Sequence, residues 1–311
     1  MIFIDEARSA ALINHELALA AAREALIAAA GGATVFPAVI AHGSDAANSF
    51  SVKSGATADI AGLKVGSYWP GNAERGLPRH NSLILLFDQE RGRIGAAIEA
   101  GKVNAYRTAA ADAAAAEVLA RPDARTLAIF GAGHQAAFEC AAIRRVRPIE
   151  HILVVARDAA RGEAFAGQLA RDLGLDAEAC DARTACMEAD IIVTATPARA
   201  PLFDAEWVRP GTHVASMGSD ARGKQELPPA LLMRAALFCD LPEQSVRIGE
   251  FQHIANEVAG GRATLTAIGD VLAGRSAGRP DDDAITVFDS SGIALQDLCI
   301  GRALLDLVAA S

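Results

Sequence analysis

Thr126-Leu127-Ala128-Ile129-Phe130 runs directly into Gly131-Ala132-Gly133-His134-Gln135-Ala136-Ala137. An apolar run of strand length, a glycine turn and an alanine-rich helical stretch predict strand, tight turn and helix in that order. Two glycines one residue apart let backbone approach a pyrophosphate closely. The helix start behind them offers unpaired N–H groups and the positive end of its dipole. Gly131, Ala132, Gly133, His134 and Gln135 are therefore the expected phosphate contacts, with Ala136 at the third position of the fingerprint. Such a glycine string is weak alone, and a purely structural turn is the alternative. Here it follows one strand, opens a helix, and has a second strand at the expected distance, residues 151–155. The reading is a Rossmann dinucleotide-binding domain.

Working outward, short apolar runs alternate with helical stretches from Pro122 onward. Strands are expected at 126–130, 151–155, 175–179, 191–195, 213–216 and 236–239. Helices are expected from the glycine loop to about residue 145 and over 158–172. This alternation predicts a parallel sheet with right-handed crossovers. Upstream the pattern changes. Residues 1–30 read as a short strand and a helix. Residues 34 to about 100 read as strands broken at Pro70-Gly71-Asn72, Gly76-Leu77-Pro78 and Arg91-Gly92. Residues 107–120 and 293–310 read as helices. The expected fold class is α/β, a Rossmann domain over 116–292. An α+β substrate and dimerisation domain, 1–115 with 293–311, is rejoined by the C-terminal helix.

The end of the second strand bears on which dinucleotide binds. An acid there normally holds the 2′-hydroxyl of NAD. This chain reads Val155-Ala156-Arg157-Asp158, so an alanine stands at the acid position and a guanidinium follows. Arg157, helped by Arg161, suits a 2′-phosphate, and NADP(H) is favoured with NAD(H) the alternative. Arg157 as a solvated helix-start residue, or Asp158 in the ribose role, are the competing readings.

Composition narrows the function classes. The net charge of −9 and a 51% hydrophobic content argue against a nucleic-acid surface. Met1-Ile2-Phe3-Ile4-Asp5-Glu6 lacks the basic start of a signal peptide, and the apolar stretch 17–30 is broken by Arg23-Glu24, so no membrane span is expected. The five cysteines are scattered without metal spacing. A cytoplasmic protein with free thiols and no catalytic metal follows as the expectation.

Further motifs flank the dinucleotide loop. They are Gly62-Leu63-Lys64-Val65-Gly66, Pro70-Gly71-Asn72, and Asn104-Ala105-Tyr106-Arg107-Thr108. After the loop come Thr194-Ala195-Thr196-Pro197, Gly218-Ser219-Asp220 with Gly223-Lys224-Gln225-Glu226-Leu227, and Phe288-Asp289-Ser290-Ser291-Gly292 through Asp297. Together and in this order they resemble the ornithine cyclodeaminase/mu-crystallin family, from about Gly62 to Asp297. The resemblance implies a nicotinamide-dependent oxidoreductase acting on the C–N bond of a small amino or imino acid, assembled as a homodimer. It implies that Lys64 and Arg107 bind the substrate carboxylate and that Asp220 acts as acid/base near the reacting nitrogen. Thr108, Thr196, Pro197 and Ser219 become cofactor contacts, and His80 and Asn72 candidate pocket residues. Read without the resemblance, Lys64 is a strand-face lysine, Arg107 a helix-start charge and Asp220 a turn residue. One departure stands out. Many members carry an arginine two residues after the proline of the segment matching Phe36-Pro37-Ala38-Val39-Ile40, and here that position is Val39; Lys53 is the candidate substitute. The favoured reaction is reduction of a cyclic ketimine carboxylate, pyrroline- or piperideine-2-carboxylate. Ornithine or lysine cyclodeaminase, alanine dehydrogenase-like and non-catalytic binding readings are the rivals.

Overall fold

The computed structural model describes residues 1–310 and divides into two compact units, Met1–Arg107 with Ile293–Ser311, and Thr108–Gly292. The first unit opens with β1 (Ile2–Ile4), α1 (Glu6–Leu12) and α2 (His15–Ala30). It continues through β2 (Thr34–Val35), β3 (Val39–His42), β4 (Ser49–Ala56), β5 (Ala61–Tyr68), β6 (His80–Asp88) and β7 (Arg93–Glu99) into α3 (Gly101–Leu119). The division falls within α3. The second unit then runs β8 (Thr126–Phe130), α4 (His134–Val146), β9 (His151–Val155), α5 (Ala159–Leu173), β10 (Asp176–Ala179), α6 (Ala182–Glu188), β11 (Ile191–Thr194) and β12 (His213–Ser216). It ends with α7 (Pro229–Leu232), β13 (Ala236–Cys239), α8 (Pro242–Ile248), α9 (Ala255–Ala259), β14 (Leu265–Ala267), α10 (Ile268–Leu272) and β15 (Thr286–Asp289), after which α11 (Ala294–Ala309) returns to the first unit.

The first 30 residues hold two helices where the sequence suggested one. Asn14 interrupts them, because its side chain accepts from Leu17 N and caps α2. The sheet of this unit runs β1-β7-β6-β5-β4-β2, with β3 also on β4. Only β1 joins in parallel; the other pairings are antiparallel. α11 packs against α2 and across β4, β5 and β6. Glycines permit that approach. A Cβ on Gly62 would sit 2.2 Å from Leu85 O and 3.0 Å from a Leu298 methyl, and one on Gly55 would sit 2.8 Å from Thr34 O. Glu6 caps α3 by accepting from Gly101 N and Lys102 N.

All eight strands of the second unit are parallel, ordered β10-β9-β8-β11-β12-β15-β13-β14. The first five follow the 3-2-1-4-5 arrangement of a doubly wound sheet. The inner strands β11, β12 and β15 are buried along their whole length, whereas the edge strand β10, Asp176-Ala177-Glu178-Ala179, alternates exposed and half-buried. Phe130, Leu153, Ile192, Val214, Phe251 and Val287 are the heart of one core cluster. β14 and β15 are additions that the sequence pattern did not disclose. Among the described residues no helix is long and apolar enough to cross a membrane, and the five cysteines are free thiols.

Replacing Gly62 by alanine is expected to lower stability by about 1–3 kcal/mol, the usual range for forcing a methyl into a filled interface. A denaturant midpoint followed by circular dichroism reads this directly. An unchanged midpoint would mean that strand and helix separate at no cost.

Candidate functional site

In the first unit the alternation of β5 turns Gly62, Lys64 and Gly66 to the buried face and leaves their neighbours less covered. Lys64 is 3% exposed. Its Nζ lies 2.7 Å from Asn104 Oδ1 and 3.6 Å from Asp297 Oδ1. Arg107, one turn after Asn104 on α3, donates to the same Asn104 oxygen through Nη2 at 2.8 Å and approaches Asp297 Oδ1 at 3.4 Å. Its Nη1 donates to Gln296 Oε1 at 3.3 Å. Lys53 stands directly opposite Lys64 in the β4–β5 register. The structure thus brings together Lys64, Arg107 and Lys53, and adds three residues that the sequence did not single out for a role: Asn104, Gln296 and Asp297.

Burial is costly for charge unless it is compensated. Burial draws Lys64 down from its ordinary 10.5 to about 7, against the attraction of Asp297 and with help from Arg107 and Lys53. Asp297 is pushed up by burial, but Lys64, Arg107 and Lys53 outweigh that and hold it below the usual carboxylate range. Three cations against one carboxylate leave a formal excess of two positive charges. Gln296 Nε2 and Ser82 Oγ are buried with no hydrogen-bond acceptor or donor facing them, so both remain available to an incoming polar ligand. Ser82 and His80 share the face of Lys64, through the pairs Gly66↔Ser82 and Tyr68↔His80. Asn72 lies apart from this arrangement, its amide donating to Pro78 O in the turn after β5. Val39 pairs with Val52 and therefore points to the opposite face from Lys53 and Lys64, where it is 63% exposed. The residue on the lysine face is Ile40, the partner of Ser51.

In the second unit, Gly131 adopts φ 118°, and a Cβ there would lie 2.8 Å from Ala195 O. Only glycine fits. Gly133 is the N-cap of α4 with no side-chain cap and with open space around it. The positive end of a 13-residue helix therefore opens beside the glycine loop onto unfilled space. This is what a pyrophosphate needs, so the residues present fit a dinucleotide. Ala132 O accepts from the Arg161 guanidinium, which braces the loop. His134 begins α4 with its ring against Phe138, and Gln135 donates to Glu139 at 2.7 Å. At the end of β9, Arg157 is exposed, while Asp158 is committed as the N-cap of α5 by accepting from Arg161 N.

Ligands of doubly wound sheets sit beyond the carboxyl ends of the strands, and four predicted residues lie there: Thr196 and Pro197 after β11, Ser219 and Asp220 after β12. Asp220 is displayed outward, its side chain 54% exposed, paired with Lys224 at 2.5 Å. Its loop is braced by Gln252, which accepts from Gly223 N at 2.9 Å, and by His253 on Lys224 O. Beneath these loops lie acids that the sequence reading passed over. Glu226 accepts from Thr196 N and Oγ1, both at 2.7 Å, from Gly218 N and Thr194 Oγ1, both at 2.8 Å, and from Ser216 Oγ at 3.1 Å. Glu250 accepts from Leu227 N at 2.8 Å and Glu226 N at 3.0 Å. Thr108 sits half-buried on α3. Among the described residues, no cluster of three or more His, Cys, Asp or Glu is placed to hold a metal.

The model of the ornithine cyclodeaminase/mu-crystallin family matches residues 8–311. The iminosuccinate reductase of Paracoccus denitrificans is 39% identical, covering 99% of this chain and 96% of its own length. The structure of that reductase with NAD+ superposes with TM-score 0.91 at 36% identity over 100% of this chain and 97% of that one. An archaeal alanine dehydrogenase dimer with bound NAD gives 0.92 at 31% identity, covering 100% and 96%. The Delta(1)-pyrroline-2-carboxylate reductase of Thermococcus litoralis, in complex with NADH and L-proline, gives 0.91 at 28%, covering 100% and 98%.

Converting Asp297 to asparagine removes the carboxylate whose attraction opposes the fall of Lys64. Lys64 is expected to fall further below 7 and the fold to lose about 3 kcal/mol, as when one partner leaves a buried ion pair. NMR titration of the lysine Nζ together with thermal unfolding measures both. An unmoved Lys64 would show that Asp297 is not its counter-ion.

Proposed function

Because the chain belongs to the ornithine cyclodeaminase/mu-crystallin family, we propose that it is a nicotinamide-dependent reductase of a small imino acid bearing two carboxylates. The observation that carries the substrate class is the excess of two positive charges where Lys53, Lys64 and Arg107 meet Asp297. A monocarboxylate would leave one of those charges uncompensated in a poorly hydrated site. The likeness to an iminosuccinate reductase along the whole chain supports this reading. Reduction of a cyclic ketimine carboxylate is the second reading, supported by the likeness to a pyrroline-2-carboxylate reductase and by a Lys64–Arg107 pair sufficient for one carboxylate.

When bound, the reduced nicotinamide supplies the hydride that reaches the imine carbon. Lys64 and Arg107 hold the carboxylate next to that carbon, and Lys53 holds the distal one. Charge-assisted hydrogen bonds of this kind fix orientation as well as affinity. Asp220 delivers the proton to nitrogen, with Lys224 as its exchange partner, so that hydride and proton together convert the C=N bond to an amine. An anion beside Lys64 favours its protonated form. The free protein therefore loses this cation as pH rises through about 7, whereas the bound substrate retains it to higher pH. Arg157, exposed at the end of β9 beside an Asp158 already used as a helix cap, supports a preference for NADP(H). The solved relatives hold NAD+, NAD and NADH, and NAD(H) is the alternative.

Titration with NADPH and NADH, followed by iminosuccinate or pyrroline-2-carboxylate, tests the whole reading. NADPH should bind at least tenfold tighter, and Arg157→Ala should erase the difference; equal binding in the unaltered protein removes the 2′-phosphate assignment. Iminosuccinate should consume reduced cofactor, with Lys53→Ala raising its KM at least tenfold. Consumption only with the cyclic ketimine would reverse the order of the two readings. Asp220→Asn should reduce turnover at least a hundredfold with cofactor affinity retained.

We also propose a homodimer. The sheet face opposite Lys64 carries Val39, Phe50, Val52, Leu63, Val65, Leu83 and Leu85, all half-buried or exposed. A second copy would cover this apolar face, and the archaeal relative is a dimer. Val65→Glu is expected to give monomers in sedimentation, and a dimer that survives it uses another surface.

A further inference from the structure

The buried acids at the carboxyl ends of the parallel strands have no part in the reaction as written. Glu226 stands out among them, since it is fully buried and its two oxygens receive five donors. Oε1 takes the N–H and hydroxyl of Thr196, while Oε2 takes Thr194, Ser216 and Gly218. Two of these donors are backbone N–H groups, one on each oxygen, which cannot accept; with the hydroxyls they favour the ionised form, against burial, which raises the carboxyl above its ordinary range. The neighbouring Glu250 is the group that takes up a proton: burial pushes it up to about 7, and Glu226 adds to the push. One fixed negative charge therefore remains under the loops that follow β11 and β12. The two loops also touch. A Cβ on Gly218 would sit 2.2 Å from Thr196 O and 2.6 Å from Glu226 Oε1.

Resting on the functional reading above, and taking the loops that carry the expected cofactor contacts Thr196, Pro197 and Ser219 to seat the nicotinamide half of the dinucleotide, we infer that Glu226 is a positioning residue with a second, electrostatic effect. It locks Thr196 and Gly218 in one arrangement, and its charge favours the oxidised, cationic ring over the neutral reduced one. Hydride donation creates positive charge on the ring, so a fixed carboxylate stabilises the direction in which charge develops. A residue that only held the fold together would affect both redox forms of the cofactor alike.

The test uses the full chain and measures dissociation constants for the oxidised and reduced dinucleotide, together with kcat and KM. For Glu226→Gln, affinity for the oxidised form should fall about tenfold relative to the reduced form. The kcat should fall at least tenfold, with the imino acid KM within about threefold. Equal weakening of both forms overturns the electrostatic inference and leaves the functional reading intact. Failure of the unaltered protein to bind either form sinks both. Thr196→Val keeps the carboxylate and deletes one donor, so it serves if the glutamine variant does not fold. It should lower kcat severalfold without moving the ratio of the two affinities or the unfolding midpoint, and an unchanged kcat overturns the positioning role.

Discussion

A lysine and an arginine cannot be buried together without a counter-ion, and in this chain the counter-ion is Asp297 from the other end of the sequence. Lys64 comes from β5, Arg107 from α3 and Asp297 from the first turn of α11. The Coulomb attraction among them is strong where water is excluded, and its loss leaves unpaired buried charge. The first unit depends on this meeting. It fixes where α11 lies on the sheet, and the glycines at 55 and 62 admit the helix closely enough for Asp297 to reach. The same meeting leaves an excess of positive charge, so the contact that assembles the unit also prepares it for an anionic ligand.

Much of this was legible in the residues, and the limits have physical causes. The path from β8 through Gly131 to α4 was plain because strand, turn and helix are adjacent in sequence and each has its own period. β15 was not, since it inserts between β12 and β13 and nothing local marks that crossing. β14 has three residues, too few to show a period. The break between α1 and α2 rests on the cap at Asn14, a single polar residue inside an alanine-rich stretch. For the site, Lys64, Arg107 and Asp220 were named through family resemblance. Asp297 did carry a signal of its own, being a lone acid in the apolar run 293–301 that burial obliges to find a cation. Glu226 carried none, because an acid between Gln225 and Leu227 looks solvated until the loops of Thr196 and Gly218 close over it. The position of Val39 was misleading for a similar reason. Distance along the chain suggested the pocket, whereas strand pairing turns the residue to the opposite face.

Hydrogen bonding explains why the second unit tolerates so many buried acids. Asp240 accepts from Gly292 N and Leu241 N, and Asp289 accepts from Ser245. Asp289 is raised well above its ordinary value by burial and by Asp240. On α3 and α4, Asp112 and Glu139 are both fully buried, and burial raises Asp112 to about 7. The folded state therefore holds protons that the unfolded chain would release at neutral pH, and these groups contribute less to stability as pH rises through 7.

The two units thus bury charge of opposite sign, and the difference matches the ions that the proposed reaction handles. The first unit concentrates cations about one carboxylate, which suits a substrate whose negative charge is present before and after reduction. The second concentrates carboxyls, most of them neutralised by protons or donors, and keeps Glu226 ionised where its loops converge. A cofactor ring that becomes cationic on giving up hydride is better served by a negative charge fixed before the event than by solvent that must reorganise during it. Neither arrangement follows from the net charge of −9. That figure is dominated by surface residues and governs solubility and steering. The chemistry rests on a few groups whose charge the fold does not allow water to screen.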